Sequence, residues 1–174
     1  MARILLLALL CSGTAAAQTE TVASSGLRYD QDYPTIEYSA TPRANEIARL
    51  QSRLDTGEVR LEYSAPRGYL DSLLKALKID PSSQVLVYSK TSLQFRLIRA
   101  ATPRAVYFND DTYVAWVQGT DFLEIATMDS QRGAVFYTLP NHRGDAPVMQ
   151  RETNRCLSCH DTFSMTGGGV PRFL

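Results

Sequence analysis

Cysteine and histidine are scarce, with three of the first and two of the second in 174 residues. There is no second C-x-x-C to close a four-ligand zinc site. An excess of either charge is also missing. Lys+Arg 18 balances Asp+Glu 18, and without basic runs nothing supports nucleic-acid binding. The apolar run Ile4 to Cys11 falls far short of the ~20 residues that span a bilayer. Internal repeats and low-complexity tracts are absent, and no nucleophile–base pair can be assembled. Gly167-Gly168-Gly169 lacks the strand–turn–helix setting of a phosphate loop.

What is present begins with MARILLLALLCSGTAAAQ. Arg3 gives a positive start, an apolar run follows, and Ala15-Ala16-Ala17 offers small residues for cleavage before Gln18. That pattern reads as a Sec-type signal peptide over residues 1–17, and hence as an exported or periplasmic protein. Leu10 before Cys11 is a poor match to a lipid-attachment site. Removing residues 1–17 leaves 157 residues, enough for one domain with a core, and no integral membrane segment. Losing Arg3 takes Lys+Arg from 18 to 17 against Asp+Glu 18.

Residues 18–44 read as a polar extended leader, with Tyr29, Tyr33 and Tyr38 either docked as anchors or exposed. Residues 45–140 read as an α+β domain. The first helix is expected over Pro42 to Thr56, with Thr41 as N-cap, Ile47, Leu50 and Leu54 on one face, and Gly57 as the stop. A second is expected over Tyr69 to Ile79, with Leu70, Leu73, Leu74 and Leu77 as its apolar stripe and Asp71 and Lys75 four apart. From Gln84 the apolar period changes to two. QVLVYSK, LQFRLI, RAVYFN, TYVAWVQ, DFLEIATM and AVFYTL read as a meander of five or six antiparallel strands. Gly119-Thr120 and Ser130 to Gly133 mark turns, and Trp116, Phe122, Phe136 and Tyr137 are core candidates. Asn109-Asp110-Asp111 reads as turn chemistry rather than a cation site, because adjacent side chains on extended chain face opposite ways.

The loop PNHRGDAPVMQRETN leads into Arg155-Cys156-Leu157-Ser158-Cys159-His160, which contains C-x-x-C-H. Cys156 and Cys159 are the only cysteines left after signal removal, and His160 is one of two histidines. A disulfide would need no adjacent histidine. Two cysteines three apart on a helical turn point the same way, and the next residue sits beneath them. This is the pattern of covalent haem attachment: thioethers from Cys156 and Cys159, and iron bound by His160. Thr153 or Asn154 is the expected cap of that turn. The cofactor expected is haem c, and residues 141–174 read as the start of its binding segment.

At CLSCH, and more weakly at GGGVPRFL, the chain resembles the cytochrome c superfamily. In class I members a Gly-Pro after the motif backs the proximal histidine. The resemblance implies that the Pro171 carbonyl receives the His160 Nδ1 proton, although Val170 separates Gly169 from Pro171. A broader likeness covers roughly residues 45–174, through RGYLDSLLKAL, SSQVLVYSKTSLQ, PRAVYFNDDTYVAWVQG, FLEIA and GAVFYTL to CLSCH. It is to exported bacterial proteins described as cytochrome c domain-containing. Those proteins continue past the motif, which implies that this chain is an N-terminal fragment.

The sixth iron ligand is open. Met165 follows His160 too closely to reach the opposite face of the ring, whereas His142 and Met149 lie in a loop long enough to do so. Missing downstream sequence is the leading source. Electron transfer with a redox partner protein, or with a missing C-terminal haem domain, is the function expected, rather than a stand-alone enzyme. The alternatives are a peroxidase- or reductase-like haem enzyme with an open sixth position, and a β-rich recognition domain carrying haem.

Overall fold

The computed structural model describes Tyr38 and residues 44–144, 147–162 and 170–173. The expected signal peptide, Thr41, Pro42, Tyr29, Tyr33, Met165 and Gly167 to Gly169 lie outside those residues.

Two helices lead the described chain. α1 spans Glu46–Asp55 and begins later than Pro42, because Asn45 takes the N-cap. Its extended backbone lets the Asn45 Oδ1 accept from the Ala48 N–H at 2.9 Å. Gly57, at φ +73, turns the chain away after the last turn, as its position suggests. α2 spans Leu70–Ala76 and stops short of Ile79, because Leu77 caps it and Lys78 adopts φ +54. Asp71 pairs with Arg67, one turn upstream. The apolar stripes match the sequence pattern: Ile47, Leu50, Leu70, Leu73, Leu74 and Leu77 are all buried.

The sheet follows. Its strands are β1 (Val85–Val87), β2 (Arg104–Phe108), β3 (Thr112–Trp116), β4 (Phe122–Asp129), β5 (Gly133–Pro140) and β6 (Gln150–Arg151). They lie side by side in sequence order, every pair antiparallel. The architecture is therefore α+β, an antiparallel six-stranded meander with a few short helices.

Two local readings change. Leu93 to Ile98 is not a strand but a run of turns, because the Glu124 carboxylate captures the Ser92 hydroxyl and the Leu93 N–H, each at 2.8 Å. Turn bonds from Phe95 N–H to Ser92 and from Leu97 N–H to Gln94 complete it. Instead, β6 supplies the sixth strand from the loop expected after residue 140. Asn109 to Asp111 does form the β2–β3 turn, with Asn109 Oδ1 accepting from the Asp111 and Thr112 N–H groups.

Alternation sorts the sheet into two faces. Tyr107, Val114, Ile125 and Tyr137 are in register on one, and this face meets the helices: Asn45 Nδ2 lies 3.2 Å from the Tyr137 hydroxyl and 3.1 Å from Asp129 Oδ2. Phe108, Tyr113, Ala126 and Phe136 are in register on the other, as are Val106, Ala115, Glu124 and Thr138. Tyr38 is fully buried, its hydroxyl donating to the Ala134 carbonyl at 3.0 Å and its ring under the Arg151 guanidinium. One hydrophobic cluster takes in residues on both sides of position 140, including Leu139, Met149 and Leu157, with Cys156 and Phe173 packed against it.

Candidate functional site

The C-x-x-C-H residues lie on the sheet face opposite α1 and α2. α3 (Leu157–His160) is one short turn, and Cys156 occupies its N-cap without any side-chain cap, so neither Thr153 nor Asn154 plays that part. Backbone bonds shape the turn: the Cys159 and His160 N–H groups donate to the Cys156 carbonyl at 3.2 and 3.1 Å. Leu157 projects into the core and is fully buried, which fixes the orientation of the turn.

Glu152 anchors the approach to the motif. It is buried, accepts from the Thr138 hydroxyl at 3.0 Å, and receives Arg155 Nε at 2.9 Å. Its own N–H donates to the Phe136 carbonyl at 2.9 Å, extending the β5–β6 pairing. Arg155 also lies over the Phe122 ring, 5.9 Å from its centroid. Sheet, carboxylate and guanidinium thus form one support beneath Cys156.

His160 is clamped from two sides. Its ring rests on Phe136 of β5, centroids 4.5 Å apart. Its Nδ1 lies 2.7 Å from the Arg172 carbonyl oxygen, while the Arg172 N–H donates to the His160 carbonyl at 2.9 Å. A carbonyl only accepts, so Nδ1 carries the proton and Nε2 keeps its lone pair. The acceptor is therefore one residue beyond Pro171, correcting the expected pairing. Strand position explains the difference. The Pro171 carbonyl faces the Ala134 N–H at 3.4 Å, binding the segment to β5 and turning the next carbonyl toward His160. Gly133 makes room for this approach, since a β-carbon there would sit 2.9 Å from Val170 Cγ1. Phe173 completes the cover, 4.9 Å from Tyr113 and 6.4 Å from Phe136 between centroids.

Burial lowers the pKa of His160 most, with nearby Arg104 adding to it, against the opposing pull of the Arg172 carbonyl and Glu124. The neutral imidazole is favoured, which is the ligating form. Burial pushes the Cys156 thiol up to about 12, and Glu152 and Glu124 push the same way. Cys156 and Cys159 are free thiols, the first half-buried and the second exposed.

The other expected residues are elsewhere. Met149 is buried on the helix side of the sheet, its N–H donating to Gln51 Oε1 of α1 at 2.7 Å. His142 lies beyond the end of β5, exposed, with Nε2 3.7 Å from Asp121. Phe136, which carries the His160 ring, is four residues short of Pro140, roughly 13 Å along the strand. The structure brings neither candidate distal ligand to His160. Among the described residues, no group of three His, Cys, Asp or Glu side chains is placed to hold a metal ion on its own. No described helix is long and apolar enough to cross a membrane.

A covalently held haem demands two thiols and an adjacent imidazole. Two unbridged thiols three apart, followed by an imidazole presenting Nε2, are the donor set that such a group requires. They fit. Glu152, Arg172 and Phe173 were not singled out from sequence, and Phe136 was read only as a core aromatic. The Glu152–Arg155 spacing was a readable signal for one of them, whereas the role of Arg172 is wholly in its backbone and leaves none.

No protein-family model, curated protein or solved structure matches this chain. The cytochrome c resemblance therefore rests on the residues themselves.

Proposed function

We propose that this chain is an exported redox protein of cytochrome c type that carries haem c on Cys156 and Cys159, with His160 as proximal ligand, and passes electrons to a partner protein. The observation that carries the reading is the His160 clamp. A histidine held through Nδ1 by a backbone carbonyl, directly after C-x-x-C, offers Nε2 and nothing else to a metal. Haem, when bound, supplies one-electron chemistry at its iron. The protein's part is to hold the thiols on one turn, fix the imidazole tautomer, and pack the imidazole against Phe136, which Phe173 meets in turn. Phe136, Thr138 and Glu152 provide that support from β5 and the segment that follows β6.

Co-expression with c-type haem maturation machinery is expected to give a pyridine haemochrome spectrum that is lost in Cys156→Ala. Wild-type chain without that spectrum under the same conditions overturns the reading.

A second reading, a haem enzyme with an open sixth position, is favoured by one observation: His142 lies exposed beside Asp121 and Met149 is buried against α1, neither of them at His160. A high-spin spectrum that converts on adding cyanide or CO supports it. A low-spin six-coordinate spectrum without added ligand rejects it.

A further inference from the structure

Three side chains fasten the turn segment Thr91 to Ile98 to the sheet. Glu124 of β4 accepts from the Ser92 hydroxyl and the Leu93 N–H, each at 2.8 Å. Arg104 of β2 donates to the Thr91 carbonyl at 2.7 Å. Gln94, itself buried, donates to the Phe122 carbonyl at 3.0 Å. Glu124 and Arg104 belong to the face shared by Val106, Ala115, Thr138 and Phe136. The segment is therefore tied to the face that carries the C-x-x-C-H turn.

The two lie close together on it. Glu124 is paired with Thr138, whose hydroxyl donates to Glu152, and is the diagonal neighbour of Phe136, on which the His160 ring rests. Such diagonal pairs stand about 7–8 Å apart. Electrostatics agree with this closeness: Glu124 acts on both Cys156 and His160, and Arg104 acts on His160. Arg104, 4.0 Å from Glu124, also offsets the carboxylate charge there. The open edge of His160 is equally defined. Pro171 binds its segment at Ala134, on one side of Phe136 along β5, and the Arg172 carbonyl takes Nδ1. Thr138 and Glu124 lie on the other side of Phe136, and Nε2 is on the imidazole edge away from Arg172.

We propose that Thr91 to Ile98 forms the second wall of the haem crevice, an apolar cover opposite the C-x-x-C-H turn that Glu124 holds in position. Leu93 and Leu97 are half-buried and Phe95 is exposed, which suits the apolar face of a porphyrin. The segment has no histidine or methionine, so it shields the ring without ligating the iron. Shielding from water raises a haem's reduction potential, because burial disfavours the more highly charged ferric form. Glu124 is thus a positioning residue that acts through Ser92 and Leu93. This inference rests on the haem reading.

The test compares oxidised and reduced forms of the haem-loaded chain by NMR, since amides near the iron shift with its charge and spin. Ser92 to Leu97 are expected to shift, whereas Thr56 to Arg60, which follow α1 on the other side of the sheet, are expected to stay. Glu124→Gln and Glu124→Ala remove the same charge, but only the glutamine keeps an acceptor oxygen for the Leu93 N–H. Glu124→Gln is expected to keep the shifts of Ser92 to Leu97. Glu124→Ala is expected to weaken them and to have the lower reduction potential of the two variants. Oxidation-dependent shifts that pass over Ser92 to Leu97 in the loaded wild type overturn the proposal and leave the haem reading intact. Equal potentials in the two variants do the same. Wild-type chain that takes up no covalent haem overturns both.

Discussion

The Nδ1 of His160 lies 2.7 Å from the Arg172 carbonyl, and the Arg172 N–H returns a bond to the His160 carbonyl at 2.9 Å. Both partners on Arg172 are backbone atoms. Its side chain is irrelevant to the clamp, but its N–H is not.

That asymmetry gives a paired test. Arg172→Ala is expected to leave His160 as the Nδ1–H tautomer in long-range ¹⁵N NMR of the haem-free chain near pH 8. Arg172→Pro removes the donated N–H, and is expected to mix the tautomers and reduce the yield of attached haem several-fold. An Nε2–H tautomer in the wild type contradicts the clamp.

The two thiols differ in reactivity. Cys156 is half-buried with its pKa pushed up to about 12 by burial, and Cys159 is exposed. The thiolate is the nucleophile, so iodoacetamide at pH 8 is expected to modify Cys159 at least about tenfold faster than Cys156. Peptide mass spectrometry reads the ratio. Equal rates contradict the observed placement of the turn.

Glu152 joins β5, β6 and the motif through Thr138 and Arg155. Glu152→Ala leaves a buried hydroxyl and a guanidinium without their acceptor and is expected to cost about 1–3 kcal/mol. Urea unfolding measures it. Arg155→Ala is expected to cost less, because its side chain is largely in water.

Asp129 gives the acid dependence. Burial is the largest influence on it and raises its pKa, but the Gln131 N–H, the Asn45 amide, the Arg132 N–H and the Arg132 charge together outweigh burial. Its folded pKa thus lies below the unfolded value of about 3.9. The stabilisation it provides is present above that value and is lost as pH falls through the folded one. Wild type is expected to lose more stability than Asp129→Asn between about pH 5 and pH 3. Parallel losses contradict this account.

The helices and the meander were legible because they rest on period: the leucines of α2 and the alternation of β4 mark buried faces directly. The motif was legible because its chemistry is local in the chain. Leu93 to Ile98 misled because Glu124, about thirty residues away, outcompetes strand pairing for the Leu93 N–H. Arg172 was missed by one residue because strand phase against Ala134 decides which carbonyl turns inward, and phase is a property of the folded sheet. Phe136 looked like a core aromatic, and it is one. Only the placement of α3 above it adds the contact with His160.

Intact mass spectrometry under denaturing conditions, after co-expression with haem maturation machinery, tests the central claim most directly. The account predicts one haem retained through denaturation and mapped to a peptide containing Cys156 and Cys159. Purified chain carrying two unmodified thiols there, from cells that load a control cytochrome, contradicts it.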